Sequence, residues 1–509
     1  MTVGAHNLAR LTEQAFERHG DYESTYFEGA WLRSGDLFER SRRLAGGFVE
    51  LGIAPGDRVV VMMANSPEVG LCYTALWRAG AVITPAIFLL PPDELRHVLE
   101  NSEARAIVTT PEFLGTVKAA AEGVETLKFI LVLGHSEDGV VALESLESAD
   151  PIGIVSRSDD DLAALMYTGG TTGRAKGVML THENLWYCGK ASEEASYVPG
   201  TRRTVVPLPL AHSFGLIVTI VGAHGREPGQ SALMRWFDPV GLLTLIQDLK
   251  MERATLVPSM IQILLTQPLE DYDLSSWRFV SCGASPLSVE VAQEFERRVP
   301  TVTITEGYGC TESGAVISVN PPLARRLGSV GKPLPGYEVR LDAGDGGPDA
   351  EGQPDPARLG EVVVRAPGVM RGYWKAPEVT AETLRDGWLH TGDIGRFDED
   401  GYLYIVDRKK DLIIRGGFNV FPRDVEDAMV EHPAVALCGV VGRPDPTYGE
   451  EVVAFVQLMP GAQADEAELV AFAKQRLGGY KYPREVHILE GVPLTPVGKI
   501  DRKRLRTLL

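Results

Sequence analysis

Apolar and polar positions alternate along this chain in blocks that mark strands and helices in turn. Residues 58–63, 104–109, 129–133 and 162–166 are short apolar runs bounded by polar or turn-forming residues, the pattern of strands buried on both faces. Between them lie helical stretches. Residues 91–101 predict one helix, and Ser66-Pro67-Glu68 predicts the start of another, with Ser66 at the N-cap and proline in the first turn. Strands alternating with helices predict parallel sheets with helices on their faces. Residues 342–358 are rich in Gly, Pro and Asp and separate two strand-like runs, 337–341 and 361–365; they predict an exposed loop in a β-rich region. After Asp411 the pattern changes. A short helix starts at Pro422 with Val425 and Met429 inward, strands follow at 436–441 and 452–458, Leu469, Phe472, Ala473 and Leu477 fall at helical spacing before Gly478, and 485–489 is a last strand. That is a small α+β unit of about a hundred residues.

A chain of 509 residues is longer than one core usually supports, so at least two domains are expected, and 44% hydrophobic content can fill them. A net charge of −19 argues against a nucleic-acid or anionic-membrane partner. No basic segment followed by a long apolar one opens the sequence, so no signal peptide is expected, and apolar patches such as 216–223 are too short to span a bilayer. Cys72, Cys188, Cys282, Cys310 and Cys438 have neither metal-ligand nor disulfide spacing and read as reduced thiols of a cytoplasmic protein.

Candidate chemistry concentrates first in Tyr167-Thr168-Gly169-Gly170-Thr171-Thr172-Gly173-Arg174-Ala175-Lys176-Gly177, directly after an apolar strand. Glycines allow a tight turn and bring backbone N–H groups close to a ligand, and threonine hydroxyls and one lysine sit among them. Polyphosphate needs such a concave donor set with a mobile cation. A Walker A loop would end in Gly-Lys-Ser/Thr, whereas Lys176 is flanked by Ala175 and Gly177.

This segment resembles the phosphate loop of the adenylate-forming superfamily, which includes acyl-CoA synthetases, 4-coumarate–CoA ligases, luciferases and peptide-synthetase adenylation domains. Further motifs match in the family's order: Tyr308-Gly309-Cys310-Thr311-Glu312, Thr391-Gly392-Asp393, the hinge-like Asp407-Arg408-Lys409-Lys410-Asp411, Gly416-Gly417-Phe418-Asn419-Val420-Phe421-Pro422, and Pro496-Val497-Gly498-Lys499-Ile500. The resemblance implies an α/β fold: a large N-terminal domain, 1–407, of helix-flanked sheets with a β-rich subdomain at about 328–407, a hinge at 408–411 pivoting on Lys410, and a small mobile α+β domain, 412–509. Family members commonly carry a serine where Gly169 stands and a proline where Ala175 stands; Thr171, Thr172 and Lys176 are kept.

The same resemblance assigns roles. Thr168, Gly170, Thr171, Thr172, Gly173 and Lys176 would cradle the β- and γ-phosphates of ATP. Glu312 would hold Mg²⁺, a hard cation that wants carboxylate oxygen. Thr311 would donate to the α-phosphate, Tyr308 with Gly309 would border adenine, and Gly283, Ala284 and Ser285 would form the turn beside adenine and the acyl chain. Asp393 would accept both ribose hydroxyls, assisted by Arg408. Lys499 would bridge the substrate carboxylate and the α-phosphate. His212, in Pro209-Leu210-Ala211-His212-Ser213-Phe214-Gly215, is either a core or capping histidine or one that borders the acyl pocket. Trp236, Phe237 and Phe214 are candidates for that pocket or for plain core. Gly416, Gly417 and Phe418 would face coenzyme A, with Gly417 lining the pantetheine tunnel.

Three functions compete. A different nucleotide binder, such as a kinase-like ATPase, is opposed by the missing Walker A and by Asp393, Lys410 and Lys499 together. An adenylation enzyme loading an acyl carrier protein is opposed at His212-Ser213-Phe214-Gly215, where amino-acid-specific relatives carry a Phe-Asp pair, and by a chain that ends ten residues after Lys499. The expectation is therefore an AMP-forming carboxylic acid–CoA ligase using ATP, Mg²⁺ and coenzyme A, with a hydrophobic fatty, aryl or bulky natural-product acid as substrate; carrier-protein loading is the alternative.

Overall fold

The structure is a computed structural model that describes residues 4–168, 174–343, 358–495 and 499–509. Two large sheets form its body. In the first, eight strands run in the order Gly372–Tyr373, Lys176–Thr181, Leu162–Thr168, Val82–Pro85, Arg58–Met62, Ala106–Thr109, Phe129–Val132, Val141–Ala142. Pairing is parallel from Leu162–Thr168 through Val141–Ala142, and turns antiparallel where Leu162–Thr168 meets Lys176–Thr181. The second sheet has nine strands; its centre, from Thr303–Tyr308 to Glu23–Phe27, is parallel. The expected apolar runs are the central strands: Val59, Val60 and Ile107 are fully buried because helices cover both faces.

One core unites the two sheets. Val59, Val61 and Ile83 from the first sheet share it with Val206 and Leu233 from the second, and with Leu216, Ile217 and Ile220 of the helix Ser213–His224. The helix Pro67–Arg78 starts where expected, with Ser66 at the N-cap, but the Ser66 side chain makes no capping bond and its buried hydroxyl has no partner among the described residues. Proline at N1 presets φ and needs no N–H partner, which suffices to begin the helix.

Strands Glu338–Asp342, Gly360–Arg365, Trp388–Phe397, Leu384–Arg385 and Leu403–Arg408 form a third, antiparallel sheet. Most of the Gly/Pro-rich run expected between 342 and 358 lies outside the described residues. A turn at 409–411 leads into a fourth sheet built from Ile413–Arg415, Phe418–Val420, Val435–Asp445, Gly449–Leu458 and Glu485–Leu489, packed by the helices Pro422–Val430 and Glu466–Arg476. The change of pattern after Asp411 thus corresponds to a new sheet with its own core of Val425, Met429, Val440, Val456 and Leu469. No helix among the described residues is long and apolar enough to cross a membrane.

Candidate active site

The glycine- and threonine-rich segment joins two antiparallel strands. Thr168 ends Leu162–Thr168 and is register partner of Lys176, which opens Lys176–Thr181. Gly170, Thr171, Thr172 and Gly173 lie outside the described residues. Lys176 Nζ sits 5.5 Å from the centroid of the Tyr373 ring.

Strand Thr303–Tyr308 delivers Tyr308 to the same region, and a 3₁₀ turn, Thr311–Ser313, follows at once. Gly309 is obligatory there: a Cβ on it would lie 2.1 Å from the Ala315 carbonyl oxygen. Thr311 is buried, and its hydroxyl lies 3.2 Å from that of Ser213. The Tyr373 hydroxyl donates to Glu312 Oε1 at 2.8 Å. Among the described residues no hydrogen bond reaches Glu312 Oε2, so one carboxylate oxygen remains for a hard divalent cation, and the site's donor chemistry fits magnesium.

Asp393, in the middle of Trp388–Phe397, is the cross-strand partner of Arg408, the last residue of Leu403–Arg408. Arg408 Nε lies 3.1 Å from Asp393 Oδ1, and the Tyr308 hydroxyl donates to Asp393 Oδ2 at 2.7 Å. Burial first, and then the Asp393 charge, pushes the Tyr308 phenol far above its usual range, so it stays a donor. A carboxylate has about four lone-pair positions, so each Asp393 oxygen can still accept a ribose hydroxyl. A hollow of about 240 Å³ beside them is lined by Thr391, Gly392, Arg408, Lys409 and Lys410.

His212 caps the helix Ser213–His224: its Nδ1 accepts the Phe214 N–H at 3.2 Å. Of the two readings of this residue, capping is the one seen, and it does not exclude the other. With Nδ1 an acceptor, the ring proton is on Nε2. Burial, with help from the Lys499 charge, pushes the imidazole down to about 4, so it is neutral at working pH. Phe214 packs against the Gly283 turn, its ring 3.5 Å from where a Gly283 Cβ would stand. In that turn Ala284 adopts a left-handed φ of 72°, and Ser285 follows it. Phe237 packs into the core of the second sheet, whereas Trp236 is 53% exposed and is not core.

The small C-terminal unit contributes Lys499. The loop carrying it closes on itself: Thr495 N–H donates to Lys499 O at 2.7 Å, and Lys499 N–H donates to Thr495 Oγ1 at 3.2 Å. Burial and then Arg408 lower the Lys499 ammonium below the usual lysine value, while Asp393, Cys310 and Glu312 oppose the shift. Lys499 therefore stands within electrostatic reach of the motifs of the large unit, at least 90 residues away in sequence.

Gly416, Gly417 and Phe418 are not brought to this cluster. They form an exposed hairpin whose neighbours are Tyr448 and Tyr480, with Phe418 stacked on Tyr480 at 4.9 Å. The same small unit carries Lys499 and this hairpin, and in this structure the hairpin is exposed. Sequence reasoning missed Tyr373, Ser213, Glu361 and Lys409. Tyr373 and Glu361 belong to no motif that was singled out; the visible signal was only a Gly-Tyr-Trp run and a glutamate opening an apolar strand.

A family model for AMP-binding enzymes matches residues 11–374, and one for the AMP-binding enzyme C-terminal domain matches residues 424–499. This chain belongs to the AMP-binding enzyme family. It is 38% identical to a feruloyl-CoA synthase of an Amycolatopsis species, over 98% of this chain and 96% of that protein. It is 35% identical to a long-chain-fatty-acid–CoA ligase of Bacillus subtilis, over 97% and 93%. Among solved structures, the amide bond synthetase McbA of Marinactinospora thermotolerans superposes with a TM-score of 0.87 at 31% identity, covering 99% of this chain and 100% of that one. The expected adenylate-forming superfamily, CoA-ligase type, is borne out, and so is the α/β architecture with a smaller C-terminal unit. Carrier-protein loading is not favoured.

Proposed function

We propose that this AMP-binding enzyme activates a hydrophobic carboxylic acid, aryl or fatty, and transfers it to coenzyme A. In the first step a carboxylate oxygen attacks the α-phosphorus of ATP, the bond to the β-phosphate breaks, and pyrophosphate leaves. In the second the CoA sulfur attacks the acyl carbon, AMP leaves, and the thiol proton is released. A carboxylate is a poor electrophile, so the first step supplies the leaving group, and the site's task is to hold pyrophosphate and neutralise charge at the α-phosphate.

The observation that supports this reading is the Asp393 cluster, with Arg408 Nε at 3.1 Å and the Tyr308 hydroxyl at 2.7 Å from its carboxylate, together with Lys499 of the small unit, whose ammonium is lowered by burial and then by Arg408. The Lys499 ammonium would lie between carboxylate and α-phosphate. Asp393 would hold the ribose, Thr311 would donate to the α-phosphate, and neutral His212 would offer Nε2–H at the acyl end. Thr168, Lys176 and the threonines between them would hold the outer phosphates. Glu312 would hold magnesium, which when bound supplies positive charge to the phosphates. The relatives named for feruloyl and long-chain fatty acids support a hydrophobic acid. In the second step the small unit would turn about Lys410 and bring Gly416, Gly417 and Phe418 to the thiol.

The test is a pyrophosphate-release screen over aryl and fatty acids, with and without CoA, with products identified by mass. Acyl-CoA from at least one hydrophobic acid is the expected result. Adenylate that reacts only with an amine, or no pyrophosphate release with any such acid, would overturn the proposal.

A further inference from the structure

Tyr373 ties together two motifs far apart in sequence. Its strand, Gly372–Tyr373, pairs antiparallel with Lys176–Thr181, Tyr373 opposite Val178. The next residue, Trp374, donates its N–H to Gly177 O at 2.7 Å, and the Tyr373 N–H donates to Thr380 Oγ1 at 2.9 Å. The segment is thus stitched to the strand that leaves the phosphate loop. It is also stitched to the second motif: Met370 N–H donates to Glu312 O at 2.8 Å. The Tyr373 side chain, 9% exposed, completes the link, its hydroxyl on Glu312 Oε1 and its ring face under Lys176.

The chemistry of these contacts is directional. A phenol beside an ionised carboxylate is the hydrogen-bond donor of the pair, and the Tyr373 hydroxyl donates to Glu312 Oε1. A donor on Oε1 fixes the rotation of the Glu312 carboxylate and leaves Oε2 outward. The ring face attracts an ammonium by its quadrupole, which holds Lys176 without neutralising its charge. A carboxylate partner there would have cancelled the cation that phosphate needs.

We propose that Tyr373 is a positioning residue for ATP activation: its hydroxyl orients Glu312 toward the magnesium ion of ATP, and its ring holds Lys176 at the phosphate loop. This rests on the reading of Glu312 and Lys176 given above. Partners that orient a metal-ligating side chain are typically worth about 10- to 100-fold in metal affinity.

Two variants separate the two contacts. Tyr373→Phe removes the hydroxyl and keeps the ring; Tyr373→Leu removes both. Binding of a non-hydrolysable ATP analogue is measured calorimetrically against magnesium concentration, with the melting temperature and both half-reactions alongside. For Tyr373→Phe the magnesium requirement for analogue binding should rise about tenfold or more. The KM for the acid, and thioester formation from pre-formed acyl-adenylate, should hardly move. Tyr373→Leu should in addition weaken analogue binding at saturating magnesium. A Tyr373→Phe protein with unchanged magnesium dependence, when Glu312→Gln loses it, overturns this inference alone. Unchanged dependence in Glu312→Gln overturns the Glu312 reading as well. Equal loss in both half-reactions with a lowered melting temperature would make Tyr373 merely structural and also overturn the inference.

Discussion

Lys409 Nζ lies 3.0 Å from Glu361 Oε2, and the other oxygen of that carboxylate accepts the Gly392 N–H at 3.1 Å. One buried side chain therefore braces both the turn at 409–411 and the Thr391-Gly392-Asp393 stretch of the strand Trp388–Phe397. A backbone bond repeats the connection, Lys409 N–H to Gly392 O at 2.8 Å. His390 Nδ1 and Arg385 stand 3.5 and 3.9 Å from the same Oε2. Asp342, Glu361 and His390 together offer the ligand atoms of a cation site, but the Lys409 ammonium already supplies positive charge there.

Glu361→Gln should raise the KM for ATP about tenfold, equivalent to about 1.4 kcal/mol, and leave the KM for the acid unchanged, because Asp393 loses its support. Lys409→Met should do part of the same. The double variant should cost less than the sum, since the two residues share one interaction; strict additivity of the measured KM effects would refute the coupling. Burial would raise the Glu361 carboxyl, but Lys409, His390 and the Gly392 N–H outweigh it and hold it below its ordinary value of 4.5. A lowered carboxyl contributes stability that is complete above about pH 4.5 and is lost as pH falls through the lowered value. The glutamine variant should lack that acid-side loss in thermal melts.

Lys499→Ala should abolish adenylate formation, by on the order of a hundred- to a thousand-fold, and spare thioester formation from pre-formed acyl-adenylate. Wild-type pyrophosphate release by this variant would remove Lys499 from the mechanism. The wild type carries a pH signature of the same assignment. Because burial lowers the ammonium, its charge is lost at a pH below that of an ordinary lysine, and adenylation should decline on the alkaline side accordingly. The second half-reaction should not share that limb. His212, neutral down to about pH 4, should add no step near the ordinary histidine value of 6.5.

Gly417→Leu should show the converse split, with pyrophosphate released and little acyl-CoA made. Among the described residues nothing stands within 4 Å of a Cβ at Gly417, but its φ is 82°, a conformation that costs a side chain roughly 1–2 kcal/mol. Gly417→Ala carries that strain without the bulk and is the control. If alanine and leucine lose thioester formation equally, backbone strain and not a blocked tunnel is the cause.

Lys410→Pro should leave an adenylate burst and reduce thioester turnover by orders of magnitude. Proline locks φ at about −65°, so a pivot at this residue could no longer turn. The variant should be trapped in the orientation in which Lys499 is buried and feels the Arg408 charge. A normal melting temperature with normal acyl-CoA production would show that Lys410 is not the pivot.

Local chemistry made much of this protein legible. The runs 58–63 and 104–109 hold the central strands Arg58–Met62 and Ala106–Thr109, because consecutive apolar side chains such as Val59-Val60-Val61 and Ala106-Ile107-Val108 point to both faces of a sheet and both must be covered. Likewise Pro422 began a helix, and Leu469 and Ala473 faced a core. The glycine–threonine loop, the Tyr-Gly-x-Thr-Glu run and Thr-Gly-Asp declared a nucleotide chemistry, because each encodes a backbone shape or donor set within a few consecutive residues. The Ser66 cap was legible as a position but not as a bond, since the hydroxyl's partner depends on what packs around it.

What only the tertiary structure decided are the meetings between distant segments. Tyr373 reaches Glu312 across 61 positions of sequence, and Glu361 reaches Lys409 across 48. Neither pair has a local signature, because each exists through strand order and register: Tyr373 opposite Val178, and Asp393 opposite Arg408. The sequence by itself determined which side chains could bind phosphate, ribose and a carboxylate. The packing of four sheets decided which of them meet, because a hydrogen bond of about 3 Å is set by the positions of whole elements and not by the residues beside it in the chain.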